Sequence, residues 1–207
     1  MREFFQVIGG APAEKELFDG IDTTWARVPG SAKAAALLSQ AARQLNDRAP
    51  HEIVPLLLEA RRELANLKGP YVTEKRAAID EAIAEAAGLY LDASATKYHA
   101  IAGKPVDVAL TAINRSALNL TLASAEINGK SAPVNKPLPR GQAVSEVVTA
   151  NMPAAPTQPY WLARPKSDAA YAIDDRRVLD LPDGPPALTA IFHLTVNGRS
   201  EEHTSEL

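Results

Sequence analysis

The side chains best suited to chemistry in this chain are few and scattered. Of its four histidines, His51, His99 and His193 lie far apart, His203 stands near the C-terminal end, and none falls in an H-x-x-H, H-E-x-x-H or H-x-E arrangement. A zinc centre needs three or four imidazole, carboxylate or thiolate ligands brought together by such spacing, so no metal site is expected within this chain. His51 beside Glu52 reads as a group at a helix start, and His193 as a hydrogen-bonded or solvated imidazole on the polar side of a strand. Cysteine is absent, which removes thiol nucleophiles, thiolate ligands and disulfides together and leaves the redox compartment open. No G-x-S-x-G elbow presents a serine, and Gly9-Gly10 lacks the G-K-[ST] that completes a phosphate loop. Asp174-Asp175-Arg176-Arg177 reads as a solvated charged turn, because its oxygen spacing does not fit a calcium loop. The inventory therefore assigns no catalytic, cofactor-binding or metal residue.

One pair remains as a binding candidate. Tyr160 and Trp161 follow the Pro-bounded stretch Pro156-Thr157-Gln158-Pro159. Exposed together on a β-domain, two such rings stack on a sugar; buried, a Trp beside Leu162 anchors the end of the domain. The anchor is the preferred reading, since burying a Trp removes on the order of 200 Å² of surface from water.

These residues must be positioned by a chain of ordinary globular composition, with 207 residues of which 46% are hydrophobic and 23% charged, enough for one large or two small domains. With 22 basic against 25 acidic side chains the net charge is -3, so no cationic field is expected to hold a nucleic acid. No run approaches the roughly 18 apolar residues of a membrane span, and the apolar part of Met1–Gly10 is too short for a secretory signal.

The hydrophobic period changes near residue 95. Ala34, Leu37, Leu38, Ala41 and Leu45 form one helical stripe behind Ser31 as N-cap; Ile53, Leu57, Ala60, Leu64 and Leu67 form a second, with Pro55 in its first turn and Lys68-Gly69-Pro70 beyond its end. Ile79, Ile83, Ala86 and Tyr90 form a third, capped at Thr73. Phe18, Ile21 and Trp25 add a turn and a half that docks on these helices. Charged Glu59, Arg61, Arg62 and Glu63 form the wet face of the second helix. Beyond Pro105 the period falls to two. Val106, Val108, Leu110 and Ala112 alternate with Asp107, Ala109, Thr111 and Ile113, Asn114-Arg115-Ser116 breaks the run, and Leu118, Leu120 and Leu122 resume it. Asn128-Gly129 is a two-residue turn able to take positive φ at both positions, and Val144–Ala150 is a further strand. In the last strand Leu188, Ala190, Phe192, Leu194 and Val196 face one way and Thr189, His193, Thr195 and Asn197 the other. Most prolines lie after residue 130, as in the edges and loops of a β-domain. The expected class is α+β, with a helical-bundle segment over residues 1–95 and an antiparallel Ig-like β-sandwich over 96–198.

Residues 199–207, Arg-Ser-Glu-Glu-His-Thr-Ser-Glu-Leu, are similar residue for residue to the forward translation of a common sequencing adapter. They are set aside from fold reasoning as a translated artefact, expected to be unpaired and to bury nothing.

Four segments carry a resemblance: Leu17–Val28 (LFDGIDTTWARV), His51–Arg61 (HEIVPLLLEAR), Ala112–Ser116 (AINRS) and Pro156–Leu162 (PTQPYWL). Together they are similar to the region downstream of the catalytic domain in large bacterial PIG-L/LmbE-like deacetylases. The resemblance implies a parent that hydrolyses an N-acetyl group from an amino-sugar conjugate, using zinc held by an H-P-D-D-type loop and a later H-x-x-H, with an Asp as general base on the metal-bound water. None of those residues has a counterpart here, so the chain is expected to be an inactive fragment whose first partner is the missing catalytic domain. The parent's compartment is undetermined, with a secreted or periplasmic setting the one it implies. The alternatives are a carbohydrate- or cell-envelope-binding module and a structural spacer.

Overall fold

The computed structural model describes residues 15–16, 18–179 and 181–196, and the backbone of Arg199–Glu206. It is an α+β protein that divides into two compact units, Met1–Ile83 and Ala84–Leu207.

In the first unit the helices α1 (Ala32–Gln44), α2 (Val54–Leu64) and α3 (Pro70–Ala86) follow the predicted stripes. Ala34 and Ala41 of α1, Leu57, Ala60 and Leu64 of α2, and Val72, Ile79 and Ile83 of α3 are buried. Pro55 occupies the first turn of α2, where its missing N–H leaves no helical bond unmade. Charge then ties the helices together. Lys33 of α1 pairs with Glu63 at 2.8 Å and Glu59 at 3.4 Å, one helical turn apart on α2. Arg61 forks the Asp80 carboxylate of α3, with Nη2 donating to Oδ2 at 3.3 Å. Arg61 is therefore a half-buried cross-helix partner, not part of a wet face as expected.

Four local expectations are corrected in this unit. Ser31 adopts helical backbone and makes no side-chain cap; its hydroxyl donates instead to the Trp25 carbonyl at 2.7 Å and fastens the preceding turn to α1. Leu45 lies beyond the end of α1 and is exposed. Thr73 lies inside the first turn of α3, its hydroxyl donating to the Gly69 carbonyl at 3.2 Å. Phe18 and Ile21 are exposed, and of the predicted docking segment only Trp25 packs, edge-to-face on Tyr71 at 5.1 Å within a short 3-10 helix, Trp25–Arg27.

The second unit begins where Gly88 takes φ +61°, a left-handed conformation that ends the helix and that any Cβ would strain. The helical stripe expected to reach Tyr90 stops here, and β1 (Leu89–Ala95) follows. Tyr90 is exposed on it, with the Arg115 guanidinium 5.4 Å from its ring centre. Two antiparallel sheets form. One has the order β1, β2 (Pro105–Asn114), β5 (Ala143–Asn151); the other has β4 (Lys130–Leu138), β3 (Leu120–Ile127), β6 (Thr189–Val196), β7 (Arg199–Glu206). Val106, Val108, Leu110 and Ala112 of β2 and Ala190, Phe192, Leu194 and Val196 of β6 are buried, as their alternation predicts. The Asn128-Gly129 turn between β3 and β4 has φ of 48° and 79°.

Strand β4 was not legible in the sequence because Pro133 and Pro137 interrupt it. Both are tolerated because β4 is the sheet's outer strand. A bulge opposite Ala123, where Asn135 takes φ 51°, shifts the register between Leu122 and Ser124. The sheets are joined by the Lys136–Glu146 ion pair; register places Glu146 opposite buried Leu110, and Lys136 of β4 neutralises it. The backbone of Arg199–Glu206 pairs with β6 from Val196↔Arg199 to Thr189↔Glu206, which overturns the expectation of an unpaired tail. Main-chain bonds form whatever the side chains, so a sequence without an apolar face still completes an edge.

Candidate functional site

Tyr160 and Trp161 lie in a short 3-10 helix, Tyr160–Leu162, that starts at Pro159. Their rings meet edge-to-face at 4.9 Å and 85°, and both residues are half-buried. The Tyr160 hydroxyl donates to the Leu181 carbonyl at 3.1 Å, so the ring is fixed by its polar end to the segment that leads toward β6. Thr157, Gln158 and Pro159 just before the pair line an open cleft with Asp183, Gly184 and Pro185. The pair therefore serves as a strut between two proline-rich segments while keeping part of each ring in water.

The turn near Asp175 is a separate, self-contained feature. The Asp175 carboxylate caps Arg176–Val178 by accepting from the Arg177 N–H at 3.0 Å, and it accepts from the Arg177 guanidinium at 2.7 Å. Those bonds hold its carboxyl down to about 2 and raise Arg177 in turn. Arg164 pairs with the neighbouring Asp174 at 2.6 Å. Asp22 is likewise lowered, chiefly by the Thr24 hydroxyl it accepts from at 2.6 Å. Both carboxylates hold turns in shape. Among the described residues no group of three His, Asp or Glu side chains can hold a metal ion.

A second concave site escapes sequence reasoning. The connection from β1 to β2 borders a cleft of about 250 Å³ lined by Ala95, Ala100, Val106, Met152 and Leu188 together with Lys97, Tyr98 and His99. It adjoins a smaller cleft of about 170 Å³ that shares Lys97, His99, Ala100 and Val106 and adds Ile101, Lys104 and Asp107. The base of the connection is fixed by main-chain bonds. Thr96 N–H donates to Asp107 at 2.9 Å, Gly103 N–H to Pro153 at 2.9 Å, and Met152 N–H to Lys104 at 3.0 Å. Gly103 makes the turn at φ +71°. Tyr98 at the tip is fully exposed and Ile101 is 67% exposed. In sequence the only signal was a Gly-Lys-Pro punctuation before β2, which marks a turn and not a site. The apolar wall comes from the end of β1, the β1–β2 connection and the start of β2, joined by Met152 just after β5 and Leu188 just before β6.

No family model matches the chain, and no curated protein matches it. Among solved structures, the Pseudomonas fluorescens alkylpurine DNA glycosylase AlkC, bound to DNA containing an abasic site analog, is similar at 11% identity with a TM-score of 0.26. The match covers 84% of this chain and 51% of that one, so the chain spans about half the length of that protein. A likeness of this size carries no argument about fold or function.

Proposed function

We propose that this chain is the non-catalytic region downstream of the catalytic domain in a PIG-L/LmbE-like N-acetylglucosaminyl deacetylase, with a helical bundle followed by an Ig-like β-sandwich. The supporting observation is the use to which the four resembling segments are put. Thr24 and Trp25 build a turn, Pro50–Arg61 starts and carries α2, Asn114 and Ser116 form a buried corner, and Pro159–Trp161 is a strut. Each segment supports architecture, as expected of a region that positions a neighbouring domain. On this reading zinc and its H-P-D-D-type loop would belong to the parent's catalytic domain, and no step of the deacetylation is assigned to this chain. Sequencing the genomic DNA around this reading frame tests the proposal. An H-P-D-D-type motif followed by H-x-x-H upstream in the same frame supports it; an upstream frame encoding a domain with neither overturns it.

A carbohydrate-binding role is the second reading, and the partial exposure of both Tyr160 and Trp161 beside a cleft lined by Thr157, Gln158 and Asp183 favours it. Against it stands the edge-to-face packing, which denies a sugar the flat two-ring platform that stacking uses. Titration with N-acetylglucosamine oligomers while following Trp fluorescence separates the two: a saturable change lost in Trp161→Ala supports sugar binding, and no change removes it.

A further inference from the structure

We propose that the cleft at the β1–β2 connection binds a small anionic amphiphile, an apolar body of medium-chain acyl or single-ring size bearing a carboxylate or phosphate. The inference is independent of the deacetylase reading. The wall is apolar, built from Ala95, Ala100, Val106, Met152 and Leu188, and its volume of about 250 Å³ falls just below the ~300 Å³ at which drug-sized sites begin, which sets the size of the body.

Charge sets the head group. The ionisable residues lining the two adjoining clefts are Lys97, Lys104, His99, Tyr98 and Asp107. Asp107 already accepts from the Thr149 hydroxyl at 2.7 Å across the β2–β5 pairing. Two ammonium groups thus share the lining with one carboxylate, which the neutral Thr149 donor does not discharge, so the site keeps a net positive charge in a chain whose net charge is -3, and a ligand anion completes it.

The site is also built in advance. Thr96, Gly103 and Met152 fix both ends of the connection through main-chain bonds, so little ordering entropy opposes binding. Tyr98 lines the cleft and is fully exposed, so its ring is placed to cover an occupant.

The test is a titration of the full chain, labelled with ¹⁵N, against sodium octanoate, octyl phosphate, 1-octanol and octyltrimethylammonium. Octanoate or octyl phosphate is expected to give saturable amide shifts confined to residues 95–107, Met152 and Leu188. Octanol should bind at least tenfold more weakly and the cation not at all. Lys97→Glu/Lys104→Glu should weaken octanoate at least tenfold while amides outside the cleft keep their positions. Ala100→Trp, which fills the cleft, should abolish binding of both anions. Equal affinity for all four probes, shifts spread over other surfaces, or no saturable shift with either anion overturns the proposal. So does concentration-dependent broadening at Tyr98 and Ile101 that octanoate leaves untouched, which would make the tip a protein-contact surface.

Discussion

Asn114 and Ser116 share a buried hydrogen-bond set at the end of β2, in which Asn114 Oδ1 accepts from both the Ser116 N–H and the Ser116 hydroxyl at 2.9 Å. Asn114 Nδ2 donates at the same time to the carbonyls of Leu118 at 2.9 Å and Leu138 at 3.1 Å. The amide thus links β2, the turn after it and the end of β4, at 1% exposure. Asn114→Ala should cost about 2–3 kcal/mol because it leaves two carbonyls and the Ser116 donors without partners. Ser116→Ala removes the hydroxyl that donates to Asn114 and accepts from the Leu118 N–H at 3.2 Å, and should cost less, about 1 kcal/mol. Asn114→Asp should be worse than either, since it turns a carboxylate oxygen toward two carbonyls. Urea denaturation of the three variants checks the order; a Ser116→Ala loss equal to that of Asn114→Ala would contradict the assignment.

Gly88→Ala should destabilise the second unit by about 1–2 kcal/mol. The residue sits at φ +61°, its carbonyl accepts from the Arg115 N–H at 3.1 Å, and an added Cβ would lie 3.2 Å from Arg115 Cβ. Gly141→Ala serves as the control for left-handed strain alone, because nothing lies within 4 Å of its Cβ position. Thermal melts should place Gly88→Ala below Gly141→Ala.

Phe192→Ala empties a fully buried site in β6 and should cost about 3–5 kcal/mol, lowering the melting of the second unit. Leu57→Ala, buried in α2, should lower that of the first. Calorimetry of both variants reads which transition moves, and movement of the same single transition in each would argue against two packing units.

The Asp175 carboxyl, lowered to about 2 by the Arg177 side chain and N–H, predicts the acid behaviour of its turn. The folded value lies below the unfolded value of about 3.9, so its contribution is complete above about pH 4 and is lost as pH falls toward 2. A carboxyl ¹³C titration should place Asp175 near 2 and, in Arg177→Ala, move it up toward the ordinary aspartate range. A midpoint unchanged by that substitution would show that the pair does not hold in solution.

Removing Arg199–Leu207 should leave one side of β6 without main-chain partners from Thr189 to Val196. The shortened chain is expected to self-associate through that edge and to melt at lower temperature. Light scattering checks this, and a monomer with an unchanged melting point would show that the β6–β7 pairing contributes nothing.

Sequence alone determined those parts of the protein whose signal is local. The stripes of α1, α2 and α3, the alternation of β2 and β6, and the Asn128-Gly129 turn follow from side-chain period and backbone preference, which need no distant partner. Tertiary structure decided the rest. Leu89–Ala95 has no clean alternation and becomes a strand because Gly88 ends the helix and β2 supplies hydrogen bonds along its length. Residues 130–138 carry Pro133 and Pro137 and show no strand signal of their own; they form β4 because that strand lies at a sheet edge, which tolerates missing N–H groups. Arg61 looked like a surface charge because Asp80, its partner, lies on another helix. Composition marked Tyr160 and Trp161, but the Leu181 carbonyl, brought in from another segment, fixed their orientation. The cleft at the β1–β2 connection left no mark in the sequence, because Met152 and Leu188 are brought to that connection only by the folding of the sheets, and concavity is a property of their packing alone.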